Sequence, residues 1–164
     1  TNRLVGSEMC IRDRSKIEDI RSIFSEYSLL KTRFLIEINW LLYLCQKYPN
    51  YFSKLSNQSK NKIIKFRDSF DDKSVLEIKK IEKLTNHDVK AVEYYIKNFF
   101  KKDKVLNKYI HLIHFGLTSE DINSLSYAIM IKDGIQVCEK DLKNLNTSLY
   151  SDFLNLFRKL VFHL

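Results

Sequence analysis

Two short polar clusters in this sequence have the residue types and spacing for anion chemistry. "TNHD", residues 85–88, and "TSED", residues 118–121, each stand directly before an apolar-periodic run. A helix start presents backbone N–H groups with no intrahelical partner, and the helix dipole is positive there. The hydroxyl, amide and imidazole groups of Thr118, Ser119, Asn86 and His87 would add side-chain donors, with Asp88 as a first-turn carboxylate. Two such termini facing one cleft would hold phosphate or carboxylate groups. The same residue types are ordinary helix caps, and Thr85 to Asp88 has capping-box spacing with Asp in place of Glu. Local chemistry leaves both readings standing.

The histidines narrow the choice of chemistry. The chain has four. His111 and His114 are three apart and would share a helix face, but no third ligand follows at a recognisable spacing, so no metal is expected. No glycine-rich phosphate loop and no nucleophile elbow is present. Cys10, Cys45 and Cys138 are odd in number and far apart, which forms neither a disulfide framework nor a metal pattern. Cys45 and Cys138 fall among helical apolar residues and read as buried thiols in a reducing cytoplasm.

The elements that must position these clusters are helices. Only three glycines and one proline occur in 164 residues, too few for the turns of a β-rich or α/β fold. An all-α fold follows. From Ile17 to Tyr48, Ile20, Ile23, Phe24, Tyr27, Leu30, Phe34, Ile38, Leu41 and Leu42 step by three and four along one helical face. Ser28 allows a slight break, the surroundings of Trp40 are apolar on most sides, and Pro49 ends the element. A second helix is predicted from Ser56 to Phe70, and a third over "SVLEIKKIEKL". The helix after the first cluster directs Val89, Val92, Tyr95, Ile96 and Phe99 inward. Gly116 breaks the backbone before the second cluster. A long pattern through Leu142, Leu145, Leu149, Phe153 and Phe157 follows, and Gly134 either interrupts it or lies within it.

The formal net charge is +8, and the sequence pI is near 9.3. Lysine outnumbers arginine 21 to 7 and is spread along the chain, as on solvated helix faces. The charge suits an anionic small substrate; neither nucleic acid nor membrane is an expected partner. No apolar run reaches the roughly 18 residues that span a bilayer. Residues 1–14 break with this composition: they hold three of the seven arginines and no lysine. "LVGSEMCIRDR" resembles translated sequencing-adapter sequence, so 1–14 is read as a foreign, disordered segment. The other end, "LNLFRKLVFHL", stops inside an apolar-periodic run without a cap. The chain is therefore expected to be a piece of a longer protein, with residues 15–117 an N-terminal helical domain and 118–164 the beginning of a central helical bundle.

Three stretches carry a family resemblance: "IRSIFSEYSLLKTRFLIEINWL", "IKKIEKLTNHDVKAVEYYIKNFF" and "IHFGLTSEDINSLSYAIMIKDG". In this order, from about Ile17 to about Asp152, they resemble the N-terminal part of the bacterial adenylosuccinate lyase family, within the fumarase/aspartase superfamily. The resemblance implies an all-α fold and, for the whole enzyme, a cytoplasmic homotetramer whose active sites draw on three subunits. It implies β-elimination of fumarate from adenylosuccinate and from the succinyl-carboxamide ribotide (SAICAR), two steps of purine biosynthesis, with no cofactor. It implies that Asn86, His87 and Asp88 match the substrate-contacting "NHD" triplet, Thr118 and Ser119 the "TS" pair, and His114 a histidine near the substrate phosphate.

The departures limit that expectation. The family's "GRY" segment aligns with Ile11, Arg12 and Asp13, inside the suspected adapter. The "THGQ" histidine, proposed acid of the family, and the mobile-loop serine, proposed base, have no match here. His163 does not align with that histidine, and a frameshift after about Phe157 would account for the last residues. No catalytic residue is therefore assigned, and the chain alone is expected to be inactive. The alternatives are a basic all-α module binding nucleic acid or a protein, and another lyase of the same superfamily.

Overall fold

The computed structural model describes residues 18–52 and 54–162, and among these every regular element is helical. The helices are α1 (Glu18–Ile23), α2 (Glu26–Lys47), α3 (Pro49–Phe52), α4 (Asn57–Asp68), α5 (Asp72–Thr85), α6 (Asp88–Lys102) and α7 (Ser119–Phe162), with a 3-10 turn at Asn107–Leu112. The expected all-α class is observed. The adapter-like residues 1–14, with Arg12, and His163 lie outside the described residues. The chain divides into two compact units, residues 24–129 and the remainder.

In the first unit, α2 supplies the central apolar face. Leu30, Phe34, Ile38 and Leu41 recur at helical spacing and are each at most 2% exposed. They pack with Ile63 and Phe66 of α4, Ile78 of α5, Val92, Ile96 and Phe100 of α6, and Leu106, Tyr109 and Leu112 around the 3-10 turn. Burying each such side chain contributes roughly 1.5–3 kcal/mol relative to exposure. Phe34 sits edge-on to Phe66, with ring centroids 5.2 Å apart. Phe99, expected inside, is instead at the surface, stacked 3.6 Å from Phe66, while Phe100 takes the core position. Both stand on a helix whose 100° step allows only one of two neighbours to face inward.

Local signals set the element boundaries. The break expected at Ser28 falls three residues earlier: Ser25 caps α2, its hydroxyl accepting from the Ser28 N–H at 3.1 Å. Pro49 ends α2 as expected but also opens the short α3, where its missing N–H is harmless. Asp71 caps α5 in a reciprocal box with Ser74. α5 and α6 are joined by Asn86 and His87 alone, so they pack as neighbours.

The second unit contains α1 and the part of α7 from Met130 onward. Gly134 does not interrupt α7, which runs unbroken from Ser119 to Phe162. Leu142, Leu145, Leu149, Phe153 and Leu156 lie on one face and are 56–65% exposed. Cys138 belongs to this stretch and is exposed, contrary to the expectation of a buried thiol, because most side chains around it on α7 meet solvent. Cys45 is buried at the end of α2, where burial pushes its thiol pKa up. No described helix is long and apolar enough to cross a membrane.

Candidate functional site

The first cluster folds as a connection and not as a single cap. Thr85 ends α5 and its hydroxyl donates back to the Ile81 carbonyl at 3.2 Å, so it is not the N-cap its spacing with Asp88 suggested. A threonine bonding back to the i−4 carbonyl sits inside a helix, and the cap of α6 lies two residues further on. Asn86 is the C-cap of α5, in the left-handed region at φ 50°, a conformation that asparagine tolerates better than most residues. His87 is the N-cap of α6, and its Nδ1 accepts from the Lys90 N–H at 3.3 Å. A nitrogen that accepts there cannot also donate, so its 3.7 Å separation from Asp88 Oδ1 is proximity and not an ion pair.

Asp88 turns the connection toward α2. One carboxylate oxygen accepts from the Val89 N–H at 2.8 Å, and the other meets Arg33 Nη1 at 2.8 Å. Burial works against its charge, but the Val89 N–H and the Arg33 guanidinium outweigh that and hold its pKa below the ordinary carboxylate value. Asn86, His87 and Asp88 line one cleft of about 640 Å³ with Lys79, Glu82 and Lys83. Lys79 is already paired, 2.7 Å from Glu26 and 2.8 Å from Glu82. Lys83 is exposed in the last turn of α5.

The second cluster is a capping box. The Thr118 hydroxyl and N–H both donate to Asp121 Oδ2 at 2.7 Å, and the Asp121 N–H returns a bond to the Thr118 hydroxyl at 3.3 Å. Ser119 opens α7. The approach to this cap is bent twice through the left-handed region, at His114 (φ 64°) and Gly116 (φ 71°). Trp40 of α2 pins the bend, its indole N–H donating to the Phe115 carbonyl at 2.8 Å. His114 therefore stands apart from the 3-10 turn that carries His111, and the two do not share a helix face.

None of His114, Thr118 or Ser119 lines the cleft formed by residues 86–88. What connects the two sets is α2. Arg33 and Glu37 are one turn apart, 3% and 1% exposed. Arg33 reaches Asp88, and Glu37 Oε1 lies 2.5 Å from His114 Nδ1. A second buried carboxylate, Glu93 of α6, pairs with Lys90 at 2.7 Å and with Lys97. Burial raises its pKa, and the two lysines more than offset that. Sequence reading passed over Arg33, Glu37 and Glu93. The signal was present in "TRFLIEINW", where two charges one helical turn apart interrupt an otherwise apolar run. Buried charges of this kind stay only when paired.

Among the described residues, no group of three or more His, Cys, Asp or Glu side chains could hold a metal ion. The arrangement is suited to hydrogen bonding and charge stabilisation: helix-start N–H groups, an amide, hydroxyls, imidazoles and lysines.

Comparison with known proteins places the chain in a family. Residues 13–152 match the family described as lyase. A protein of Buchnera aphidicola subsp. Baizongia pistaciae named adenylosuccinate lyase is 44% identical over 74% of this chain and 26% of its own length. The proteins of that name from Legionella pneumophila strain Corby and Escherichia coli K12 are 39% and 41% identical, over 74% and 71% of this chain. They are covered over 27% and 26% of their lengths, so the chain spans about a quarter of these curated relatives. With the family match covering most of its residues and the helical architecture in agreement, the chain belongs to the lyase family.

Proposed function

We propose that this chain supplies substrate-binding walls of an adenylosuccinate lyase, a C–N lyase that eliminates fumarate from adenylosuccinate, giving AMP, and from SAICAR, giving AICAR. Asn86, His87, Asp88, Thr118, Ser119 and His114 are the binding groups in this reading. The substrate carries a phosphate and two carboxylates, and each cluster offers N–H, amide, hydroxyl or imidazole donors at a helix boundary. β-Elimination needs a base to remove the proton next to a carboxylate and an acid to protonate the departing nitrogen. None of the six groups is assigned either task, so the isolated chain binds without turnover, and no cofactor enters the reaction. The working protein is a cytoplasmic homotetramer in which several subunits complete each site.

The observation that carries the reading is the grouping of Asn86, His87 and Asp88 on one cleft in a chain with the lyase-family match. The test is a chimera in which residues 17–152 replace the matching part of the Escherichia coli relative. Fumarate release from adenylosuccinate is expected, with a loss of at least about a hundredfold in kcat/KM for His87→Ala. A folded chimera without fumarate release would overturn the reading, and salt-sensitive binding of DNA by the same protein would favour the basic-module alternative.

A further inference from the structure

We propose that Glu37 is the positioning residue of His114, accepting a hydrogen bond from Nδ1–H so that the ring's other N–H is the donor offered to an anionic group of the substrate. The inference rests on the functional reading above but is carried by its own geometry. Glu37 is 1% exposed and stands within an apolar face of α2. Oε1 lies 2.5 Å from His114 Nδ1, and Oε2 is buried without a hydrogen-bond partner. A carboxylate in that position is costly unless a cation or donor faces it. The neighbouring cation on the same helix, Arg33, is turned to Asp88. His114 is thus the partner of Glu37 Oε1.

The backbone at His114 serves the same contact. Its φ of 64° is uncommon for a residue with a side chain, and Trp40 fixes the next peptide through the Phe115 carbonyl. Among the described residues, Nε2 has no hydrogen-bond partner. The charged groups that act on the ring are Glu37 from α2, Glu93 and Lys90 from α6, and Asp121 from the start of α7. The hydrogen bond to Glu37 raises the imidazole pKa above 6.5 against the opposing effect of burial, which favours the doubly protonated ring. An imidazolium held by Nδ1 presents Nε2–H as a charged donor, the form that binds phosphate or carboxylate most strongly.

The test is a pH titration of the imidazole nitrogens by NMR in this chain, with the His114 signals assigned by their loss in His114→Asn. His114 should titrate above 6.5 with a protonated Nδ1. Glu37→Gln should lower that value by about one unit or more, and Glu37→Asp should restore part of the shift. An unchanged His114 titration in Glu37→Gln would overturn the proposal. So would a wild-type His114 that is neutral at pH 6.5, a result readable even if the Gln variant fails to fold. In the active chimera, Glu37→Gln should raise KM about ten- to a hundredfold, the size of a hydrogen bond to a charged group, with a smaller change in kcat. A chimera inactive with Glu37 intact removes the functional reading and leaves the NMR result standing. An active chimera with unperturbed titration removes the positioning role alone.

Discussion

At the scale of single residues, the chemistry rests on charges that cannot leave the core unpaired. Arg33 and Asp88 are unequal partners: the Arg33 side chain is 4% exposed and that of Asp88 is 46% exposed. Removing Asp88 strands a buried cation, whereas removing Arg33 leaves a carboxylate that water can solvate. Asp88→Asn should therefore destabilise the chain by about 3 kcal/mol, and Arg33→Met by less than about 1.5 kcal/mol. Urea denaturation of both variants measures this, and equal losses would contradict the asymmetry. His114 gives a second expectation. Its folded pKa is raised above 6.5, so the stability it contributes is complete below 6.5 and is lost as pH rises through the folded value. The wild-type protein should lose stability over that window relative to His114→Asn, whose side chain tolerates the left-handed backbone. Parallel pH profiles would count against a charged His114. Asn86, His87 and Asp88 were legible as a polar group at a helix boundary, because Asn and Asp are favoured in caps and first turns and an apolar-periodic run follows them. Their division into a C-cap and an N-cap was not, since Thr85 has the right spacing for a cap and only the backbone shows where its hydroxyl donates.

At the scale of elements, the longer helices and most of their faces were readable from periodicity, because Leu30, Phe34, Ile38 and Leu41 repeat at the spacing of one helical face. The exceptions have local causes. Phe99 and Phe100 are adjacent and alike, so hydropathy cannot tell which one points inward. On α7, Ile122 and Ser126 are buried four residues apart, while Leu125 and Ile129 stay exposed. A polar Ser126 within the inward row masks the pattern. The bend before α7 is a sharper case, since Gly116 was legible as a break and His114 as a left-handed residue was not. Gly116 has φ +71°, and a Cβ there would meet nothing within 4 Å. Gly116→Ala should therefore cost only the backbone term, about 1–2 kcal/mol, while Gly116→Asn should cost less. Thermal or urea unfolding distinguishes them. A neutral alanine variant would mean that the left-handed bend is not held in solution.

At the scale of the whole molecule, each unit has a different relation to solvent. Residues 24–129 enclose a core built from α2, α4, α5, α6 and the 3-10 turn, with Phe52 of α3 packed against it. The α7 stretch beyond Met130 instead shows Leu142, Leu145, Leu149, Phe153 and Leu156 to water at intervals of three and four. That spacing averages 3.5 residues, the repeat by which helices pack against one another in bundles. A contiguous apolar stripe of this kind is unusual on a monomer. A second copy of the chain offers the same stripe, and pairing two would cover both. The expected outcome is concentration-dependent association in sedimentation velocity, strengthened by salt because the net charge of +8 opposes it. Leu145→Lys combined with Phe153→Lys should abolish the association and leave the helical content of residues 24–129 intact, since neither side chain belongs to that core. A wild-type chain that sediments as a monomer at every concentration would show that pairing of this stripe between copies is too weak to matter.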